Sequence, residues 1–224
     1  MSSYESWIGS RYVRSTNNEG FISIISGISI FGIAIAVAAL IIVLSVVNGF
    51  ERELKNRLLA VSAHANIEGS NGRIDNWSDW IISIEKRNDI LAATPYVNGQ
   101  GLISSEGKLS GTFIRGIDPL KETSVSSIKS LLKEGDLSSL EEGAYNLILG
   151  IELAESISVN VGDSVDITLA EGIISPTGMI PRARRFTVSG IFRAGMYEFD
   201  RRLVLANIVD TQKLFRMDES VSGI

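Results

Sequence analysis

The sequence predicts an α+β domain, built as two subdomains of mixed sheets with helices, carried behind a single membrane-spanning helix. Three observations predict it. An almost wholly apolar, uncharged run extends from Gly20 to Phe50. The remainder has the composition of an ordinary globular domain. Within that remainder, short alternating segments of strand period exchange with segments of helical period, punctuated by turn residues. Residues 1–20 form an N-terminal segment, residues 21–49 the span and residues 50–224 the α+β domain, with a long hairpin connection at 170–186.

The span comes first in the chain. Mean hydropathy is positive, +0.20, and the excess lies between Phe21 and Val47. A helix of that length covers about 40 Å at ~1.5 Å per residue, more than the ~30 Å of a bilayer core. A signal peptide has an apolar region of only ~7–15 residues followed by a small-residue cleavage site, and this run is longer and continues into charged helical sequence. Ser29, Gly32, Ala36 and Ala39 share one helical face, where small side chains let a second helix approach; Gly and Ala are also simply common in spans, and both readings stand. Arg11 and Arg14 precede the span while Arg52, Lys55 and Arg57 follow it, so the positive-inside rule leaves its orientation open. Phe50, Leu54, Leu58 and Val61 then recur at helical spacing, with Glu51–Lys55 and Glu53–Arg57 as i,i+4 pairs. The helix is therefore expected to continue past the lipid as an amphipathic stalk, either to transmit movement or simply to pack on the domain.

Beyond the stalk, Ala65–Ile67 reads as a short strand, and Asp75 as the cap of a helix reaching Lys86 with Trp77, Trp80, Ile81 and Ile84 on its apolar face. Gly99–Ser104 and Thr112–Gly116 form a strand pair around the Glu106-Gly107 turn. Val125–Leu132 reads as helical. Asn146–Gly150 is a short apolar strand leading into a helix over Ile151–Ile157. Val165, Ile167 and Leu169 alternate with polar residues, as do Phe186 and Val188, giving two strands of one hairpin. Leu203–Ala206 is another strand, and Thr211–Phe215 begins a helix.

Composition excludes several function classes. The 224 residues include no Cys and one His, His64, so disulfides, thiolate metal sites and His-cluster metal sites are ruled out. A net charge of −5 argues against a nucleic-acid partner. There is no GxxxxGK[ST] loop for ATP, no GxSxG elbow and no HExxH helix. Asp163 with Asp166, and Glu134 with Asp136, read as turn chemistry. No catalytic residue and no cofactor is expected.

The most informative local feature is the connection between Leu169 and Phe186, the sixteen residues AEGIISPTGMIPRARR. Hairpin loops usually hold ~2–5 residues, and longer ones are usually functional or disordered. Pro176 and Pro181 stiffen this one, and Ile173, Ile174, Met179 and Ile180 make it apolar. An apolar tip on a basic base of Arg182, Arg184 and Arg185 has the character of a docking element; folding back onto its own domain is the alternative. In extended chain Arg182 and Arg184 share one face and Arg185 takes the other.

The stretch LSVVNGFERELKNRLLAVSAHANIEG (Leu44–Gly69) resembles the end of the first span in the lipoprotein-releasing (Lol) ABC transporter permeases of the LolC/LolE type. FIRGIDP (Phe113–Pro119), LLKEGDL (Leu131–Leu137), LILGIELAESISVNVGDSVDI (Leu147–Ile167) and FTVSGIFRAGMYEFD (Phe186–Asp200) are similar to the wider family of permeases with large extracytoplasmic domains. The ILG-LA-GD pattern is shared with macrolide-export permeases and is the less specific part. The resemblance implies a bacterial inner-membrane permease with a cytoplasmic N-terminus and a periplasmic domain. It would pair with a second permease subunit, its paralogue or itself, and with a cytoplasmic ABC ATPase dimer that hydrolyses ATP in its stead. Its substrates would be lipoproteins, handed to a soluble periplasmic carrier. Ser175, Pro176, Thr177, Gly178, Met179 and Pro181 would form a carrier-gripping hook, with Arg182, Arg184 and Arg185 as a basic pad. Val43, Val46 and Val47 would line the lipid cavity; Val47 stands where relatives often carry Met. Such permeases have three more spans after the domain, so the chain is expected to be an N-terminal portion. An efflux permease of the same architecture, or a membrane-anchored periplasmic adaptor or regulator, are the alternatives.

Overall fold

The computed structural model of the chain describes residues 3–15, 20–61, 65–69, 71–175 and 178–224. It divides into two compact units, residues 1–54 and 55–224.

The first unit is helical. Helix α1 (Ser3–Ser15), which the sequence reading left unassigned, carries Arg11 over the ring of Trp7 at 5.3 Å. Helix α2 runs unbroken from Gly20 to Val61, so the stalk expected from the Phe50–Val61 periodicity is one helix with the span. Within its stretch Ile24–Lys55 an 18-residue window reaches a mean hydropathy of 3.1 and is not buried, so the helix is long and apolar enough to cross a membrane.

The second unit is α+β, as expected, and its strands join in one sheet rather than separate ones. In chain order it comprises α3 (Trp77–Glu85), β1 (Tyr96–Ser105), β2 (Lys108–Ile117), α4 (Pro119–Val125), α5 (Ile128–Leu131), β3 (Leu132–Glu134), β4 (Asn146–Gly150), α6 (Ile151–Ile157), β5 (Ser164–Ser175), β6 (Gly178–Phe192), α7 (Tyr197–Arg202), β7 (Leu203–Asn207) and α8 (Ile208–Phe215). The strand order is β3-β6-β4-β7-β2-β1-β5, and β5 also pairs with β6, closing a ring of pairings. Pairs β2–β7 and β4–β6 are parallel; the others are antiparallel. The tight β1–β2 turn places Glu106 and Gly107 at φ of 47° and 83°, the double left-handed geometry that Gly favours.

Burial explains which segments alternate. In β5 and the inner half of β6, Val165, Ile167, Leu169, Phe186 and Val188 point into a core shared with Leu147, Leu149, Val204, Ala206 and the α6 residues Leu153, Ala154 and Ile157. The polar residues between them face outward. Strands β4 and β7 show no alternation because both faces are covered. Ile148, Leu203 and Leu205 serve a second core with Ile117, Ile128, Leu137, Leu140 and Phe192. A strand covered on both sides reads as a continuous apolar run.

Several expectations are corrected. The helix expected over Val125–Leu132 is the short α5, Ile128–Leu131, and a separate helix, α4, precedes it from Pro119 to Val125. Asp118 caps α4, accepting from the Leu120 and Lys121 amides at 3.0 and 3.4 Å, with Pro119 at the first helical position. Asn76, not Asp75, precedes α3, with no side-chain cap. On that helix Ile81 is buried and Trp77 donates its Nε1 proton to the Glu219 carbonyl at 2.9 Å, but Trp80 is exposed. The strand expected over Ala65–Ile67 is not formed; Glu68 makes an isolated bridge to Gly223, and Ile67 exchanges backbone hydrogen bonds with Ile224. Helix α7 and strand β3 had no sequence assignment.

Candidate functional site: a protruding hairpin and its basic root

The sixteen-residue connection is strand, not loop. Strands β5 and β6 continue past the core edge, with Ile173 opposite Ile180, Ile174 opposite Met179 and Ser175 opposite Gly178. Pro176 and Thr177, both expected in the hook, lie outside the described residues. Ile and Met at successive positions favour extended chain, and apolar residues there suit a pleated surface. The register breaks once, between Leu169–Arg182 and Ile173–Ile180. Three residues, 170–172, face the single Pro181, which has no amide proton to give to the ladder.

Past this bulge the two arms pair only with each other among the described residues. Strand β1 meets β5 over Asp166–Thr168, and β4 meets β6 from Thr187 onward. Four residue steps from Gly178 to Arg182 give a finger of about 13 Å at ~3.4 Å per residue.

The root is where the core face ends. Directly opposed residues share a face, and the pairs Val165–Phe186, Ile167–Arg184 and Leu169–Arg182 follow one another along it. Arg182 and Arg184 thus share a face with Arg185 on the other side, as the alternation predicts. Each arginine has a different partner. Arg182 is half-buried and donates Nη1 to the Leu214 carbonyl at 2.8 Å. Its Nε is buried with no partner. The Arg184 guanidinium lies 3.9 Å over the ring of Tyr145, which packs edge-on against Phe186 at 5.6 Å. Arg185 makes a two-pronged contact with Asp166 at 3.0 and 3.1 Å. Hydrogen bonding from Arg185 holds the Asp166 carboxyl below its usual range, and the same contact raises Arg185.

Asp166, read from sequence as turn chemistry, is therefore part of the root. Asp163 does serve a turn, accepting from the Asn160 amide at 2.8 Å, and Asp136 accepts from the Ser138 amide at 2.8 Å. Tyr145 and Leu214 were not singled out by sequence. Their roles depend on which surfaces meet at the root, which no local pattern encodes. Tyr145 is set by Asp210, fully buried, which accepts from the Gly143 and Tyr145 amides at 2.9 and 3.1 Å.

The other sites lie on α2, in the first unit. Val43, Val46 and Val47 are exposed there. Ser29, Gly32, Ala36 and Ala39 are exposed too, and a Cβ added at Gly32 would meet nothing within 4 Å. Among the described residues no cluster of three or more His, Cys, Asp or Glu could hold a metal ion.

A helix long and apolar enough to cross a membrane, followed by an α+β domain with a hairpin arm, defines the class of protein. Residues 26–224 match the family model of the MacB-like periplasmic core domain. The chain is 41% identical over 228 residues to the lipoprotein-releasing system transmembrane protein LolC of Neisseria meningitidis serogroup B, covering all of this chain and 54% of that protein. It is 42% identical over 217 residues to LolC of Xylella fastidiosa, covering 97% and 52%. It is 31% identical over 169 residues to LolE of Haemophilus influenzae, covering 74% and 40%. Among solved structures, the periplasmic region of MacB from Actinobacillus actinomycetemcomitans aligns with a TM-score of 0.45 at 17% identity, covering 67% of this chain and 64% of that one. The chain belongs to the family with a MacB-like periplasmic core domain, and its sequence is LolC/LolE-like. It spans about half the length of the curated relatives it matches.

Proposed function

We propose that this chain is the N-terminal portion of a permease subunit that releases lipoproteins from the bacterial inner membrane and passes them to a soluble periplasmic carrier. The observation that carries this reading is the finger, a two-stranded arm with open edges and apolar sequence, in a chain whose relatives are named for lipoprotein release. The finger is the hook: Ser175, Pro176, Thr177, Gly178, Met179 and Pro181 engage the carrier, and Arg182, Arg184 and Arg185 form the pad at its root. ATP is hydrolysed by a separate cytoplasmic ABC ATPase dimer, and a second permease subunit completes the transporter. The face of Ser29, Gly32, Ala36 and Ala39 is where another membrane helix packs. Val43, Val46 and Val47 line the lipid cavity.

An efflux permease of the same architecture is the second reading, favoured by the MacB-like core domain match. The two separate in one experiment. The full-length permease, reconstituted in nanodiscs with its ATPase and loaded with a lipoprotein, is mixed with the carrier and ATP. Lipoprotein should move to the carrier in an ATP-dependent way, and a variant lacking residues 172–179 should not transfer it. Transfer that survives loss of the finger refutes the hook, and absence of any release by the wild type favours efflux.

A further inference from the structure

We infer that Arg182 is a positioning residue: it sets the direction of the finger by tying the last regular pair of β5 and β6 to the C-terminal turn of α8. This rests on the finger's being the docking arm, and it changes what one of the three pad arginines does. Leu169–Arg182 is the last regular pair before the bulge. A bulge bends the strand that contains it, and Pro181 offers the ladder no amide proton at that point. The angle at which the finger leaves the sheet therefore depends on how firmly this pair is held.

Arg182 holds it from outside the hairpin. The last carbonyls of a helix lack intrahelical partners, and a cation there is favoured by the helix dipole. At the end of α8, Arg216 is left-handed with φ of 53°, and its amide returns to the Gln212 carbonyl. The Met217 amide uses the same Gln212 oxygen at 3.0 Å. The Leu214 carbonyl is the one that receives the Arg182 guanidinium, at 2.8 Å. The anchor is firm because α8 is buried along Asp210, Thr211 and Leu214.

Burial also separates Arg182 from its neighbours. Its side chain is half-buried and its Nε is sealed from solvent without a partner. Arg184 and Arg185 are exposed; Arg184 uses only its face, over Tyr145, so its guanidinium edge remains open to another protein, while Arg185 gives one edge to Asp166. A guanidinium sealed at Nε and committed at Nη1 is poorly placed to take a partner's carboxylate in a two-pronged contact.

Hydrogen–deuterium exchange on the full-length permease in nanodiscs, with no carrier present, tests this alone. Arg182→Met should speed exchange roughly tenfold at Arg182–Ala183 and in the last turn of α8, the scale expected for losing one charged hydrogen bond. Amides of β4 and β7 should be unchanged. Arg182→Lys, with one donor on a flexible stem, should show a smaller loss at the same places. Carrier binding is measured next. The Met variant should dissociate faster with its association rate and salt dependence unaltered, whereas Arg184→Met should slow association. Unchanged exchange at the root overturns the inference, and so does a slower, less salt-dependent association in Arg182→Met. If the Met variant loses protection throughout, the Lys variant decides: loss confined to the root supports the brace, and uniform or no loss refutes it. If the wild type binds no carrier, the docking reading fails while the exchange data still decide the brace.

Discussion

Ile67 and Ile224 are reciprocal backbone partners, the Ile67 amide donating to the Ile224 carbonyl at 2.9 Å and the Ile224 amide to the Ile67 carbonyl at 3.0 Å. Beside them Glu68 and Tyr96 both bridge to Gly223, and the Tyr96 hydroxyl reaches Glu68 Oε1 at 3.4 Å. Three separated stretches of sequence thus meet at a residue with no side chain.

That meeting point has no room for a methyl group. A Cβ at Gly223 would lie 2.5 Å from the Tyr96 hydroxyl and 2.6 Å from the Ile67 carbonyl oxygen. The carbonyl is backbone and cannot rotate aside. Gly223→Ala should destabilise the domain by about 1–3 kcal/mol, read as a fall in melting temperature of roughly 2–4 °C per kcal/mol for a domain of this size. An unchanged melting temperature would show that the strand contact is not formed in solution.

Asp210 holds the turn that presents Tyr145 to Arg184. Asp210→Ala leaves the Gly143 and Tyr145 amides without their acceptor in a buried site. Each unsatisfied donor costs about 1–3 kcal/mol, so a substantial loss in urea denaturation midpoint is expected with little change in slope. Asp210→Asn should recover part of it, since one amide oxygen can serve only part of the carboxylate's role.

Asp166 makes the root sensitive to acid. Its folded pKa is lowered, so the stabilisation from Arg185 is fully present above the unfolded carboxyl pKa of about 3.9 and is lost as pH falls through the lower folded value. Both side chains are substantially exposed, 72% for Arg185 and 44% for Asp166, so the effect is small and screened by salt. Thermal melts of wild type and Asp166→Asn should differ slightly at neutral pH and converge as the carboxyl is protonated at acid pH. A difference that grows on acidification would contradict the pairing.

The finger can be removed without unfolding the domain. Leu169 and Arg182 are opposed, so Asn-Gly in place of residues 170–181 joins them by a two-residue hairpin turn. The core ends at Leu169, and the melting temperature should stay within about 2 °C, as for surface changes generally. Carrier binding should disappear. A large drop in stability would mean that the arm packs on the domain.

The sequence carried the hairpin's strands and its finger, but not the contacts at the root. Counting back from a two-residue tip at Pro176-Thr177 without a bulge would place Asp166 opposite Thr187. The bulge moves the register by two residues and puts Arg185 there instead. Because the shift is even, every side chain keeps its face, and for that reason the inward alternation of Val165, Ile167 and Leu169 was legible while the ion pair was not. Helix α4 was not legible for a different reason: its start is written in the Asp118-Pro119 cap rather than in apolar spacing.

What the sequence determined by itself was periodicity and length: a hydrocarbon-length helix running into a stalk, strands β4 and β7 as unbroken apolar runs, and alternating arms with arginines on known faces. These are local properties, since each depends on side chains a few residues apart along one element. Only the tertiary structure decided that six of the seven strands close into one ring of pairings, that Leu214 receives Arg182 and that Tyr145 lies under Arg184. Those contacts join residues tens of positions apart, and they form where packed surfaces happen to meet.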